Sequence, residues 1–206
     1  MAHYSQRDDL FPMAGSCPCR RTTFTIHLAP LLVHACYCQA CQRQTGSIMA
    51  LNAIIETSAL QAQHAAPTTP PGYLEPFAKS TGADQPQEVM GLKKVCVPST
   101  SGAGTTLVGC PVCGTTIYSH YADAGRYLAY VRVGLLERAG NITPDVHIFT
   151  AEKASFVDIA DGKPQYKAYY ADRGEMYREG VKDRIEALGV MVSKYKREMM
   201  ALSQPQ

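Results

Sequence analysis

Residues 20–28 alternate polar with apolar positions and are rich in β-branched types, a period of two that predicts a strand with one buried face. Residues 47–56 form a nearly unbroken apolar run, short enough for a buried strand, and we read it as one. Strand-like alternation resumes at residues 93–97 and 105–108, on either side of a Ser/Gly-rich stretch whose glycines suit a hairpin turn. Residues 115–118, 127–133 and 147–150 are β-like as well, so the expected fold is mainly sheet. Cys96 lies inside one of these strands, where a lone thiol is expected to pack as a small core residue.

Beyond residue 170 the period lengthens. Tyr177, Val181, Ile185, Leu188, Val192, Tyr195, Met199 and Leu202 recur at threes and fours and predict a C-terminal amphipathic helix. Lys182, Arg184, Lys194, Lys196 and Arg197 fall mostly off this stripe and are expected to be its solvated face. Gly180 and Gly189 weaken such a helix by roughly 1 kcal/mol each relative to Ala. The stripe therefore needs a partner surface, either the chain's own sheet or a second copy in a homodimer. Between the strands, residues 57–91 turn to Ala, Gln, Thr, Pro and Gly, with Pro67, Pro70, Pro71, Pro76 and Pro86 interrupting any pattern. A loop of this length is read as a lid, with Tyr73 and Phe77 as covering groups, or as a surface insertion.

A chain of 206 residues suits one domain with a proper core. Its formal net charge of +2 comes from scattered basic residues, which leaves no electrostatic footprint for nucleic acid. Arg7, Asp8 and Asp9 break the N-terminal stretch, and no run approaches about 18 apolar residues, so the expected protein is soluble and cytoplasmic with no membrane partner.

Seven of the eight cysteines fall into tight groups: Cys17 with Cys19, then Cys36, Cys38 and Cys41, then Cys110 with Cys113. Such spacings let neighbouring sulfurs converge on one ion. Seven thiolates fill one closed four-cysteine zinc site and leave three for a second ion with an open position. The simplest partition gives Cys36, Cys38 and Cys41 to the open site and Cys17, Cys19, Cys110 and Cys113 to the closed one. A zinc ribbon on Cys38, Cys41, Cys110 and Cys113 is the rival by spacing, although the intervening chain far exceeds the roughly 15–20 residues of such ribbons. An iron–sulfur cluster or disulfides on the same thiols are the other readings.

Gly15-Ser16-Cys17-Pro18-Cys19, the run from Cys36 through Cys41 to Ser47, and Gly109-Cys110-Pro111-Val112-Cys113-Gly114 together resemble the glutathione-dependent formaldehyde-activating enzyme family, which includes centromere protein V. Later segments, among them residues 131–136, His147 to Phe149 and residues 161–166, are similar to that family in the same order, over roughly residues 12 to 170. The resemblance implies a β-tent-like zinc fold with two zinc ions per chain: a catalytic one on Cys36, Cys38 and Cys41, and a structural one on Cys17, Cys19, Cys110 and Cys113. Residues 1–173 would form this domain, with the insertion near 57–91, and residues 174–202 a helix belonging to the same unit. The chain departs from the family at Tyr37, where a histidine is frequent, at Phe156, where tryptophan is common, and in the length between Cys41 and Cys110.

A zinc ion with three thiolates is a soft, weak Lewis acid suited to holding a sulfur ligand. The expected activity is that of a carbon–sulfur lyase resembling S-(hydroxymethyl)glutathione synthase, which adds a zinc-held thiolate to a small aldehyde. A zinc isomerase, dehydratase or decarboxylase acting on another metabolite is the alternative, and a non-catalytic zinc module binding a protein partner is the third reading. His34, His120 and His147 lie in or beside strands and are read as structural, so no general base or substrate-binding residue is assigned.

Overall fold

The computed structural model describes residues 2–65, 91–99, 102, 104–172 and 174–202, with positions 199 and 202 described by backbone alone. The alternation around Phe24 becomes β2 (Thr22–Ile26), which pairs with β1 (Met13–Ser16) and β5 (Leu60–His64) in a three-stranded sheet of order β1-β2-β5. Among the described residues the larger sheet has seven strands. They are β3 (Leu32–Cys36), β4 (Ala50–Glu56), β6 (Lys93–Val97), β7 (Thr105–Gly109), β8 (Thr116–Tyr121), β9 (Leu128–Arg132) and β10 (Val146–Ile148), in the order β10-β3-β4-β9-β8-β7-β6. Within it β10 runs parallel to β3 and the other pairings are antiparallel.

Register decides what each face carries. His34 sits opposite Asn52, Asn52 opposite Arg132, and Cys36 opposite Ala50, so these side chains share one face. Val33, Ala53, Ile55, Ala129 and Val131 project from the other face into a core with Met13, Phe24 and Ile26 of the small sheet. On the first face Leu32, Ile54, Leu128 and Tyr130 form a second core with Val181 and Leu188. Each Val, Leu, Ile, Phe or Met side chain among these, once buried, contributes about 1.5–3 kcal/mol. Packing is tight at Gly15, where a Cβ would lie 2.4 Å from the Phe24 ring of the neighbouring strand and 2.7 Å from the carbonyl oxygen of Leu135, in the turn after β9.

The C-terminal stripe forms α2 (Lys182–Leu202), which starts after a 3-10 turn at Glu179–Val181, so Tyr177 and Val181 lie outside it. Its inner residues Ile185, Leu188 and Val192 pack into the second core. Among the described residues no helix is long and apolar enough to cross a membrane.

Three expectations are corrected. The loop read over residues 57–91 begins as a 3-10 turn (Thr57–Ala59) and β5, because Leu60 to His64 can pair along the edge of β2; residues 66–90, with Tyr73 and Phe77, lie outside the described residues. Cys96 is exposed: among the described residues β6 is the terminal strand of its sheet. Arg184 is not on a solvated face: its long side chain turns inward to Glu56.

Candidate metal centre and adjoining cavity

The four sulfurs of Cys17, Cys19, Cys110 and Cys113 lie within 4.8 Å of one another. Cys17 Sγ is 3.3 Å from Cys19 Sγ, which is 3.7 Å from Cys110 Sγ. Zinc–sulfur bonds of about 2.3 Å in a tetrahedron put ligand sulfurs about 3.8 Å apart, so this set fits a closed four-thiolate site. Local backbone makes the grouping. The tight turn at Cys110 closes through Cys110 N–H to the Thr115 carbonyl at 2.9 Å and Gly114 N–H to the Cys110 carbonyl at 3.0 Å. Gly109 is required beside it, because a Cβ there would lie 2.5 Å from the Thr115 carbonyl oxygen. Burial pushes the Cys19 thiol up to about 12. At Cys113 burial acts in the same sense, but hydrogen bonds with Thr115 outweigh it and bring the thiol down to about 6.

Cys36, Cys38 and Cys41 form the second cluster, all buried, with Cys36 Sγ 3.6 Å from Cys38 Sγ. Cys36 ends β3, Cys38 caps the short helix α1 (Gln39–Thr45), and Cys41 lies in its first turn. Cys38 Sγ accepts the Cys41 N–H at 3.4 Å, and Gly46 ends the helix at φ +63°. The three thiols crowd one another. Hydrogen bonds with Cys38 and Cys41, together with burial, push the Cys36 thiol far above its ordinary value. Three buried sulfurs this close cannot all ionise unless a cation joins them, and that donor set suits a soft divalent ion.

Behind the trio stands Arg132, whose Nη1 donates to Asn52 Oδ1 and Nη2 to Gln44 Oε1, the latter at 3.1 Å. Arg132 is 8% exposed; the hydrogen bond with Cys36 and the charge of Arg132 pull the Cys41 thiol down, but the hydrogen bond with Cys38, burial and the charge of Cys38 outweigh them and leave it raised. Tyr121 lies beside Cys41 and Cys36; burial, then the charge of those two sulfurs, holds its hydroxyl protonated far above the ordinary phenol range.

The two clusters differ in what they face. Cys36 and Cys38 form part of the wall of a cavity of about 490 Å³, along with His34, Asn52, Tyr121, Asp123 and Tyr130. None of the quartet lines it. His34 accepts or donates at Nε2 to the Tyr170 hydroxyl at 2.8 Å, whereas His120 Nδ1 meets the Leu128 carbonyl at 2.6 Å away from the cavity lining. His147 belongs to a chain: its Nε2 lies 2.8 Å from Asp161 Oδ2 and its Nδ1 3.1 Å from the Tyr37 hydroxyl. With Nε2–H donating to the carboxylate, Nδ1 accepts from Tyr37, and the turn carrying Cys36 and Cys38 is anchored to β10.

Sequence reasoning found the cysteines and missed Asn52, Tyr121 and Arg132. A signal was available only for His34, which also lines the cavity: it stands two residues before Cys36 on a strand and must share its face.

A mainly β scaffold with a cysteine quartet, three of its thiols in one core and Cys113 exposed, and a buried cysteine trio in the other core, two of whose thiols line a cavity, is that of a candidate metalloenzyme. The chain belongs to the glutathione-dependent formaldehyde-activating enzyme family, whose profile matches residues 12–71 and 79–152. No curated protein matches the chain.

Proposed function

We propose that this protein is a zinc-dependent enzyme that joins a thiol to a small aldehyde and catalyses the reverse cleavage of the carbon–sulfur bond. The observation that carries the reading is that two thiols of the trio, Cys36 and Cys38, and none of the quartet, line the cavity. Zinc on Cys36, Cys38 and Cys41 supplies, when bound, an open coordination position that holds a substrate sulfur as its thiolate.

The chain's own residues do the rest. Arg132 offsets the negative charge of the trio and keeps Asn52 oriented at the cavity floor. Tyr121, held protonated, is the group placed to donate a hydrogen bond to the aldehyde oxygen as charge develops there. The cavity walls hold the two reactants together. In the net reaction the sulfur bonds to the carbonyl carbon, the π pair moves to oxygen, and the thiol proton ends on that oxygen. We place this chemistry in the reducing cytoplasm, where clustered thiols persist without pairing as disulfides.

Exchange spectroscopy by NMR tests the proposal. Zinc-loaded protein should speed exchange between free thiol plus formaldehyde and the S-hydroxymethyl adduct by at least tenfold over buffer, and Cys41→Ser should abolish the effect. No acceleration with any thiol would refute it.

A further inference from the structure

The cavity beside the trio has a composition that bears on what the substrate carries beyond its sulfur. Its flanks are aromatic. Tyr121 and Tyr130, from β8 and β9, meet edge to face with centroids 4.6 Å apart. Phe149, just after β10, and Tyr169 form a second pair at 6.2 Å, and Ile148 joins them in the wall. Because the strand order is β10-β3-β4-β9-β8, Cys36 of β3 lies between these two aromatic flanks.

Charge points the same way. Among the described residues no Lys or Arg lines the cavity, and the one carboxylate that does, Asp123, has the same sign as ionised thiols. Arg132 is behind the floor, engaged with Asn52 and Gln44. Glutathione has two carboxylates and one ammonium group, so as a thiolate it would bring net negative charge to a lining that, among the described residues, offers no Lys or Arg to receive it. A volume of about 490 Å³ admits either a tripeptide or a ring on a short chain, so chemistry and not size decides.

We infer that the group attached to the substrate's sulfur is uncharged and aromatic, and that glutathione is a poor ligand for this member of the family. The inference rests on the thiol–aldehyde reading above and narrows its substrate class. A flat ring between Tyr121 and Tyr130 on one side and Phe149 and Tyr169 on the other gains stacking and desolvation that a charged peptide loses.

The full-length protein reconstituted with cobalt is titrated with 2-phenylethanethiol, 2-mercaptoethanol and glutathione, with the thiolate charge-transfer bands as readout. Half-saturation by 2-phenylethanethiol is expected at a concentration at least tenfold below that of glutathione. Tyr169 is about one-third exposed, so Tyr169→Ala should fold, and it should weaken 2-phenylethanethiol at least threefold more than 2-mercaptoethanol. Glutathione binding as tightly as the aryl thiol, or an equal loss for both small thiols in the variant, overturns the inference and leaves the reaction standing. Bands unmoved by all three thiols overturn the reaction and the inference together.

Discussion

Arg184 grips the Glu56 carboxylate through two parallel hydrogen bonds, Nε to Oε1 at 2.7 Å and Nη2 to Oε2 at 2.6 Å. Its remaining nitrogen, Nη1, donates to the Ala29 carbonyl at 2.9 Å. Glu56 ends β4 and Arg184 lies in the first turn of α2, so one planar group ties the C-terminal helix to the sheet that carries the cavity.

Removing that guanidinium leaves Glu56, whose side chain is 11% exposed, without its partner. The pair is neither fully buried nor exposed, and Arg184→Met should cost about 2–3 kcal/mol, between the values for those two cases. The double variant with Glu56→Gln should recover part of the loss. Urea unfolding of the three proteins measures both.

Metal content follows from the two clusters. Protein prepared without chelators should hold about two zinc ions per chain by elemental analysis, with no iron or sulfide. Mild chelation should remove the ion on the cavity side first, because that site is open to solutes and the quartet has its own four ligands.

Single ligand changes should separate the clusters by role. Cys110→Ser should unfold or aggregate the protein, since a structural zinc contributes on the order of 10 kcal/mol to folding. Cys41→Ser should leave a folded protein that has lost activity. Circular dichroism and zinc content, read side by side, check the difference; equal loss of folding from both changes would show the partition to be wrong.

Asp161 gives a pH dependence with a definite sign. Its slight burial would raise the carboxyl's pKa, but the hydrogen bond from His147 and that from Lys163 N–H outweigh it and hold the group below the usual range. A depressed folded-state pKa means stabilisation that is complete above the unfolded value of about 3.9 and is lost as pH falls through the lower, folded value. Asp161→Asn should therefore be less stable than wild type at neutral pH, with the gap closing below about pH 4. Denaturant titrations across that range, in matched metal states, read the gap directly.

Local chemistry was legible before any coordinates. Cysteines two or three residues apart can bring their sulfurs together where the chain turns, so spacing pointed to the trio, and the alternation around Phe24 and the apolar run into Ile55 each announced a strand with a defined period. The pairing of Cys17 and Cys19 with Cys110 and Cys113, across some ninety residues, was a partition that the sequence could suggest and that only the packing of β1, β2 and the turn after β7 could bring about. Tertiary structure alone decided the rest. Leu60 to His64 reads as loop because a strand pairing with β2 on one edge needs no strong pattern of its own, and Cys96 is exposed because strand order, which no local period encodes, puts β6 last. Asn52, Tyr121, Tyr130 and Arg132 reach the trio through the register of neighbouring strands, a relation between distant residues that leaves no mark on either stretch taken singly. Arg184 shows the same limit: its charge at that position describes a solvated face, and only Glu56 opposite it, at the end of another strand, turns it inward.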